Sequence, residues 1–450
     1  MPDHAFSSDP AVQAQLDRLA ALSPGRDVLG LERIAELCAR LGNPQERLPR
    51  TFHVAGTNGK GSTCAYLRAI LEAQGRRVHC YTSPHLVRFN ERIRIAGALI
   101  DDGHLAALLE EVLDVAQDLQ ASFFEITTAT AFLAFARTPA DDCIIEVGLG
   151  GRLDATNVIP APAVCGIASL GIDHEAFLLA PEAGTPDDPA VRIAWEKAGI
   201  FKPGAALATL DYPAPLMDII GERAEAVGGM LFSEGDVWAV APEGDGFRWT
   251  SKFGSIGAVL HTRMPGAHQQ RNAGLAIAML RVAPEPRPSE AEVAAGVATA
   301  FWPGRMQRLG DGPLTRLLPD GAAVWLDGGH NPDAGAALAR ALEDVQENGA
   351  PLHIVCGLLR NKDAMGFLRP FADRIASFQA VPIPGHEHHD PKDLCHWVQE
   401  GMGIVDAQPC DDVAAALRHI AAHRPPGAVL ICGSLYLAGA VLGANGEVPV

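Results

Sequence analysis

Apolar residues follow two spacings along this chain of 450 residues. Short apolar runs predict buried strands, and the stretches between them place an apolar residue at every third or fourth position, which predicts helices. Strands that alternate with helices in this way are typical of a parallel sheet covered by helices. In the first 170 residues we predict strands at 52–55, 78–81, 143–147 and 164–170, with helical spacing in 11–42, 62–74, 105–119 and 125–137. A break at Ser23, Pro24 and Gly25 divides the first helical stretch into two runs.

The pattern changes in the middle of the chain and then starts again. Residues 205–262 carry shorter, β-leaning segments, and helices are predicted at about 268–282 and 289–300. Trp302-Pro303-Gly304 then predicts a hinge between two domains. Beyond it we predict strands at 323–326, 352–356, 377–381, 403–405 and 428–432, and helices at 333–345, 363–375, 391–398 and 411–422.

The segment Thr51 to Ser62 predicts a phosphate-binding loop. Its apolar strand end is followed by Gly56-Thr57-Asn58-Gly59-Lys60-Gly61, and Ser62 opens a stretch with helical spacing. Glycines let backbone N–H groups approach an anion, and the start of a helix attracts negative charge. Lys60 adds a positive charge, and Ser62 could place its hydroxyl on the magnesium of a nucleotide. In the common P-loop pattern the hydroxyl would stand at position 61, so this loop is a variant; an ordinary glycine-rich turn is the alternative.

These elements predict an α/β fold with two doubly wound domains. The first, over residues 1–303, is a P-loop ATPase-like domain, and the second, over 304–450, is a smaller Rossmann-like domain. The length of the chain agrees with more than one domain, since single hydrophobic cores stop growing at roughly 250–300 residues.

Composition narrows the classes of function. A net charge of −18 argues against a nucleic-acid backbone as partner. The first ten residues lack the basic and apolar segments of an export signal, and the apolar run 427–443 contains glycines that fit a strand, a turn and a helix better than a membrane span. The nine cysteines form no C-x-x-C pair, as expected of reduced core residues. We therefore expect a cytoplasmic protein that binds neither nucleic acid nor a membrane.

Polar residues follow several predicted strands at the point where each strand ends. Ser83 and His85 come after the strand 78–81, Glu146 lies at the end of the strand 143–147, and Asp173-His174 follow the strand 164–170. The carboxyl ends of parallel strands meet at one edge of a sheet, where ligands collect. Oxygen ligands with one imidazole suit Mg²⁺ or Mn²⁺ beside phosphates. Each residue could instead have a structural role; Ser83 could cap a turn, and His174 could be a loop histidine.

Seven motifs together resemble the folylpolyglutamate synthase/dihydrofolate synthase family, a relative of the Mur ligases. They occur in the family's order from about residue 29 to 442. The motifs are HVAGTNGKGS (53–62), YTSPHL (81–86), EVGLGGRLDATN (146–157), GIDH (171–174), EKAGI (196–200), DGGHNP (327–332) and GSLYLAG (433–439).

The resemblance implies a set of site residues. Lys60, His174, Lys197 and Arg305 would be catalytic, and Lys197 matches a lysine that is often carbamylated in this family. The implied ATP-binding residues are Gly56, Thr57, Asn58, Gly59, Lys60, Gly61, Ser62, Asn272, Arg305, Asp327 and His330. The implied metal ligands are Ser62, Ser83, Glu146, His174 and carbamylated Lys197. The implied substrate-binding residues are Leu29, Arg33, Phe124, Thr127, Arg152, Asp154 and Ser434.

Two segments depart from the family pattern. Residues Ala180 to Pro189 form a Pro/Asp/Gly-rich insert between His174 and Lys197, which could rearrange the metal loop. Asn361 stands where the family pattern has an acidic residue, in the part of the second domain that the resemblance places near glutamate.

The function that the resemblance implies is ATP-dependent ligation of L-glutamate to dihydropteroate, to (poly)glutamylated folate or to both, through an acyl-phosphate intermediate, with ATP and two Mg²⁺ ions. The partners would be small molecules, and the enzyme would be a monomer. The alternatives are another Mur-type amide ligase, although only 55 residues precede Gly56 where those enzymes carry a nucleotide-sugar domain, and a P-loop ATPase or kinase without ligase activity. A non-enzymatic, ATP-gated interaction module is a further alternative, for which the sequence offers no exposed apolar helix or charge tract.

Overall fold

Two mostly parallel sheets organise the chain, which confirms the predicted α/β fold with two sheet-containing domains. The computed structural model describes residues 5–22, 29–345, 350–423 and 427–449, so the break predicted at Ser23, Pro24 and Gly25 lies outside the described residues. The elements up to residue 170 are α1 Pro10–Leu22, α2 Glu32–Arg40, β1 Arg50–Ala55, α3 Lys60–Ala73, β2 Val78–Tyr81, β3 Ile93–Ile95, β4 Ala98–Leu99, α4 Asp102–Ala116, α5 Phe123–Arg137, β5 Asp142–Glu146 and β6 Val164–Ile167.

The first domain continues through a region of mixed elements up to residue 299. They are α6 Glu175–Leu178, α7 Pro189–Ala198, β7 Ala206–Thr209, α8 Ala214–Ala226, β8 Leu231–Ser233, β9 Trp238–Glu243, β10 Gly246–Ser251, α9 Ala267–Val282 and α10 Glu290–Thr299. The eight-stranded sheet has the order β4-β3-β2-β5-β1-β6-β7-β8, in which only β3 and β4, at one edge, are antiparallel, while β9 and β10 form a separate antiparallel hairpin. β1 therefore lies inside the sheet, parallel to β5 on one side and β6 on the other.

Burial explains why β1 takes this inner position. All of its residues after Arg50 are buried, as expected for a parallel strand that is covered on both faces. The helices α3, α9 and α10 pack together on one face of the sheet, and α4 and α5 contribute to a second core cluster. The segment after β1 is thus held at the centre of the carboxyl edge of the sheet.

The second domain repeats the alternation around a six-stranded sheet. Its elements are β11 Gln307–Arg308, β12 Val324–Leu326, α11 Pro332–Val345, β13 Leu352–Cys356, α12 Ala364–Leu368, β14 Ile375–Ala380, α13 Pro391–Met402, β15 Ala407–Pro409, α14 Val413–His423, β16 Ala428–Cys432 and α15 Leu435–Asn445. The strand order is β11-β12-β16-β13-β14-β15, parallel except for β11. β12 and β16 are neighbours, so the segments that follow them start from the same edge.

Three local predictions were wrong. The β-leaning region 205–262 contains the helix α8, whose buried residues are only Ile220 and Ala224, so its apolar periodicity is weak. The helix predicted over 363–375 ends at Leu368, because Pro370 in the next turn cannot donate a backbone hydrogen bond.

The third concerns the strand predicted at 403–405, which lies at 407–409 instead. Gly403 ends α13 with a positive φ of 70°, and the side chain of Val405 is 90% exposed. An apolar side chain that faces water can thus mimic the start of a strand in the sequence pattern.

Within the described ranges, every helix is too short or too polar to cross a membrane.

Candidate active site

A cavity of about 720 Å³ lies between the two domains, at the carboxyl edge of the first sheet. Its walls include the loop after β1, Ser83 after β2, Glu146 at the end of β5 and the segment after β6. The second domain contributes the segments after β12 and β16. The strand-end residues that the sequence pattern singles out therefore meet in one place, because parallel strands direct their carboxyl ends to the same edge.

The loop before α3 has the geometry of an anion site. Gly59 has a φ of 82°, and a Cβ atom there would lie 2.4 Å from Oδ1 of Asn272, so no larger residue fits without movement. Thr57 fixes the loop to the segment after β6, since its backbone N–H donates to the Ser169 carbonyl at 2.7 Å and its hydroxyl to the Gly171 carbonyl at 2.7 Å. The Lys60 ammonium donates to the carbonyls of Gly56 (3.0 Å) and Thr57 (3.3 Å). The lysine thus lies over the loop at the positive end of α3.

Ser62, Ser83 and Glu146 fit a divalent cation. The Ser62 hydroxyl is buried and lacks a hydrogen-bond partner among the described residues. The Glu146 carboxylate accepts a hydrogen bond from the Ser83 backbone N–H at 3.1 Å. Burial raises the pKa of Glu146, against the opposing charge of Lys60, so a cation beside this carboxylate would offset its loss of hydration.

His174 lies at the exposed rim of the same cavity, in a left-handed conformation with a φ of 55°. The described residues contain no cluster of three or more His, Cys, Asp or Glu side chains that could hold a metal alone. A donor set of hydroxyls, one carboxylate and one imidazole is instead suited to Mg²⁺ or Mn²⁺ that shares its ligands with phosphate oxygens.

Lys197 is buried beneath the phosphate loop rather than in the cavity wall. The residue is 4% exposed, so it is not a surface helix lysine, and its ammonium donates to the Gly56 carbonyl at 3.0 Å. Burial, together with the nearby charge of Lys60, lowers its pKa to about 7. A buried amine of this kind exists partly in the neutral form that can react as a nucleophile.

Contacts across the cavity join the two domains. The Asn331 side chain exchanges hydrogen bonds with that of Asn58 in the phosphate loop, each at 3.1 Å. The Lys362 ammonium lies 2.5 Å from the Asp173 carboxylate, and His330 Nε2 lies 3.4 Å from it. Asp173, the residue before His174, is therefore paired with the second domain.

Asp327 and Arg305 belong to the second domain and also line the cavity. The Asp327 carboxylate accepts hydrogen bonds from the backbone N–H groups of Met306 (2.7 Å) and Gly329 (2.6 Å). Burial raises its pKa, while the Arg305 charge acts in the opposite direction. The predicted hinge lies directly against the loop, because a Cβ atom at Gly61 would come within 2.7 Å of the Trp302 Nε1 atom.

The remaining predicted residues divide into two groups. Leu29, Phe124, Asp154, Asn272 and Ser434 line the cavity. Three others are engaged elsewhere by protein partners: Arg33 pairs with Glu125 (3.1 Å), the Thr127 hydroxyl donates to the Phe123 carbonyl (2.8 Å), and Arg152 pairs with Glu182 (2.6 Å) and Glu196 (3.0 Å).

An ion pair and a helix cap fix the insert 180–189 to the rest of the first domain. Glu182 within it pairs with Arg152, and Asp188 caps α7 by accepting hydrogen bonds from the Ala190 and Val191 backbone N–H groups at 2.9 Å. His174 still lies at the cavity. Asn361, at the other departure from the family pattern, also lines the cavity, beside Lys362.

Arg92 is a cavity residue that the sequence analysis missed. Its side chain is 1% exposed, its Nε atom donates to Nδ1 of His85 at 2.9 Å, and its guanidinium lies 5.5 Å from the centroid of the Phe123 ring. A buried arginine next to an aromatic ring in a cavity is suited to an anionic or aromatic ligand. The available signal was an arginine between the apolar residues Phe89 and Ile93, six positions after the end of the YTSPHL motif.

Comparisons with known proteins agree with this architecture. Residues 304–435 match the family model described as Mur ligase, glutamate ligase domain. The chain is 32% identical over 411 residues to the dihydrofolate synthase/folylpolyglutamate synthase of Escherichia coli strain K12, a match that covers 91% of this chain and 89% of the relative.

Solved structures of such proteins superpose over nearly the whole chain. E. coli FolC in complex with DHPP and ADP gives a TM-score of 0.83 at 30% identity and covers 97% of both chains. A bifunctional folylpolyglutamate synthase/dihydrofolate synthase with Mn, AMPPNP and L-glutamate bound gives a TM-score of 0.80 at 30% identity, over 97% of this chain and 99% of that one.

Proposed function

Because the chain belongs to the folylpolyglutamate synthase/dihydrofolate synthase family, we propose that it is an ATP-dependent ligase that joins L-glutamate to a pteroate or folate carboxylate. The observation that carries this proposal is the cavity between the domains. It combines a phosphate loop, a buried hydroxyl and carboxylate suited to a metal, and residues of a glutamate-ligase domain. The substrate is dihydropteroate, a folate or both, so a bifunctional enzyme is included.

The chemistry has two steps. An oxygen of the acceptor carboxylate attacks the γ-phosphorus of ATP, which forms an acyl phosphate and releases ADP. The amine of L-glutamate then attacks the acyl carbon, an amide bond forms, the C–O bond to phosphate breaks, and the amine proton is lost to solvent. Negative charge collects on phosphoryl and acyl oxygens in both steps, so fixed positive groups stabilise the transition states.

The residues of the site have different roles in these two steps. Lys60 and the backbone N–H groups of the loop hold the phosphates, and Arg305 supplies positive charge from the second domain. Asn272, Asp327 and His330 position the nucleotide. Leu29, Phe124 and Arg92 border the part of the cavity suited to the aromatic acceptor.

Ser62, Ser83, Glu146 and His174 would hold Mg²⁺, with Lys197 as a further ligand once it is carbamylated. When bound, the metal neutralises phosphate charge and orients the reacting oxygens. We propose two such ions. A related structure with Mn and AMPPNP bound supports a divalent metal beside the nucleotide.

The contacts between the two domains keep the site closed during the reaction. Asn58 with Asn331, and Asp173 with Lys362, hold the two domains together over the nucleotide. Closure of this kind excludes water from the acyl phosphate, which water would otherwise hydrolyse. We accordingly propose residues 1–303 as the ATP- and pterin-binding domain and 304–450 as the glutamate-ligase domain. The enzyme is proposed to act as a cytoplasmic monomer without nucleic-acid or membrane partners.

ADP release tests the proposed function against its rivals. With dihydropteroate or tetrahydrofolate as acceptor, we expect rapid ADP release only when L-glutamate is present, together with an acceptor that gains one glutamyl residue. A comparison of the two acceptors then identifies the substrate. Turnover at an unchanged rate without glutamate would contradict ligation and would favour a P-loop ATPase or kinase.

A further inference from the structure

The insert 180–189, which departs from the family pattern, is folded onto the start of α7. The Thr185 hydroxyl donates to the Glu182 carbonyl at 2.6 Å, so the insert turns back on itself. The Arg192 guanidinium, which belongs to α7, donates to the Ala180 carbonyl at 3.1 Å and to the Thr185 hydroxyl. The insert is therefore attached to α7 along its length.

Four charged side chains, here called the charge cluster, lie between the insert and α7. Glu182 from the insert pairs with Arg152 at 2.6 Å and with Arg192 at 3.5 Å. Glu196 in α7 pairs with the same two arginines, at 3.0 Å and 4.0 Å. The centroid of the Trp195 ring lies 4.5 Å from one guanidinium group and 5.8 Å from the other. The cluster thus holds two positive and two negative charges, and the insert supplies one of the negative charges.

The charge cluster is largely removed from water. The side chains of Arg192 and Glu196 are 7% and 5% exposed, and that of Arg152 is 25% exposed. The Arg192 Nε atom is buried without a hydrogen-bond partner among the described residues. Removal of one member of a buried ion pair leaves the opposite charge uncompensated, which is more destabilising than the loss of an exposed pair. Without Glu182, two guanidinium groups would share the single carboxylate of Glu196.

The residue that carries this shared carboxylate stands directly before Lys197. The Glu196 carbonyl accepts a hydrogen bond from the Arg152 backbone N–H at 2.8 Å. A Cβ atom at Gly151 would lie 2.7 Å from that carbonyl oxygen and 3.0 Å from the Lys197 Cα atom, so the backbone of α7 packs directly on this segment. The Lys197 ammonium in turn donates to the Gly56 carbonyl. A displacement of α7 would therefore reach the phosphate loop.

We propose that the insert is a positioning element for the nucleotide site, in which Glu182 balances the charge of the two arginines and so holds α7, with Lys197, beneath the phosphate loop. This inference rests on the proposed function, in which that loop binds MgATP. Glu182 is not among the described residues that line the cavity, so it acts through α7 and not on a substrate. The acceptor wall is fixed separately, since the Asp154 carboxylate accepts a hydrogen bond from the Leu149 backbone N–H at 2.9 Å.

Kinetics of Glu182→Gln test the proposal on the full chain, with the acceptor that the wild type ligates. The substitution keeps the shape of the side chain and removes its charge. The KM for MgATP should rise about fivefold, the factor that corresponds to about 1 kcal/mol, while kcat and the KM for the acceptor stay within about twofold of wild type. Glu243→Gln is the matched control and should change neither KM. Its side chain is 45% exposed, as is that of Glu182, and it pairs with Arg248 at 2.6 Å in the β9–β10 hairpin.

A double variant separates charge balance from a general loss of contacts. Glu182→Gln/Arg192→Gln removes one charge of each sign and leaves the pair of Arg152 with Glu196. Its KM for MgATP should return to within about twofold of wild type, although it lacks more contacts than the single variant. Binding of Mg·AMPPNP without acceptor, measured by isothermal titration calorimetry, should follow the same order. It should weaken about fivefold in Glu182→Gln and stay near wild type in the double variant and in Glu243→Gln.

The proposal would be overturned by an unchanged KM for MgATP in Glu182→Gln, or by an equal rise in the KM for the acceptor. A folded double variant that binds Mg·AMPPNP no better than Glu182→Gln would overturn it as well. Each of these results would leave the proposed function standing if the wild type ligates glutamate. Absence of glutamate-dependent turnover in the wild type would instead reject the proposed function, and the calorimetric comparison of the variants would still decide the role of Glu182.

Discussion

Lys60→Ala is expected to lower kcat/KM for ligation by about a thousandfold. The lysine is the cation of the phosphate loop and lies at the start of α3, where its ammonium contacts the Gly56 and Thr57 carbonyls. Removal of one preorganised group that stabilises developing charge typically costs about 10²–10³ in rate, and a full positive charge on the transferred phosphoryl group belongs at the upper end of this range. The variant is compared with the wild type by following ADP release and product formation.

The fold should tolerate this substitution. Alanine is a favourable helix residue, and the lost hydrogen bonds are worth about 1 kcal/mol each. Lys202→Ala is the matched control, since Lys202 also donates to a backbone carbonyl, that of Asn157 at 3.0 Å, but does not line the cavity. It should keep near-normal activity. Wild-type turnover in Lys60→Ala, with thermal unfolding unchanged, would refute the role of the loop in phosphate binding.

Lys197→Ala is expected to lower ligation about a hundredfold, and a small carboxylate such as acetate should restore part of the activity. In the proposed carbamate, the lysine nitrogen bonds to the carbon of CO₂ and loses its proton, so a cation beneath the loop becomes an anion. Its burial and its contact with the Gly56 carbonyl place it next to the phosphate loop, where a metal ligand would be useful. Loss of one group that supports a metal typically costs about 10–100-fold.

Two observations distinguish this role from simple packing. Native mass spectrometry of the wild type should show the added mass of one CO₂, which Lys197→Ala lacks. Acetate should accelerate Lys197→Ala but neither the wild type nor Lys202→Ala. If Lys197→Ala ligates at the wild-type rate, or if it is slow and acetate has no effect, Lys197 is not a carbamylated metal ligand.

Many site residues at the carboxyl edge of the first sheet could be predicted, because each of them stands directly at the end of a predicted strand. Glu146 ends an apolar run, and a carboxylate in that position is costly without a cation, so the sequence alone indicates a site. Parallel topology then brings Glu146, Ser83 and the loop before Ser62 together. The family resemblance added roles that no spacing contains, such as those of Asn272 and Lys197.

Residues that depend on tertiary packing were harder to predict. Lys197 lies 141 positions from Gly56 in the chain, so its burial beneath the loop could not be inferred from apolar periodicity. Arg92 is one of several charged residues between β2 and β3 in the sequence, and only tertiary packing places Phe123 and His85 against it. Arg152 was assigned to the substrate by resemblance, and its pairing with Glu182 depends on the insert.

Two of the three errors in the secondary structure have a common physical origin. The helix α8 buries only two of its residues, and Val405 is an apolar residue on the surface. In both cases the pattern of apolar and polar residues does not indicate which face of the element packs against the core. Periodicity identifies elements reliably only where one face is extensively buried.

Transfer of oxygen-18 from the acceptor to phosphate tests the central claim most directly. The acceptor carboxylate is labelled with oxygen-18, the reaction is run with ATP and L-glutamate, and the released inorganic phosphate is analysed by mass spectrometry. If ATP activates the carboxylate as an acyl phosphate, the bridging oxygen leaves with phosphorus, and each phosphate should carry one labelled atom. Phosphate without the label, at a rate of ADP release that matches product formation, would contradict the acyl-phosphate mechanism.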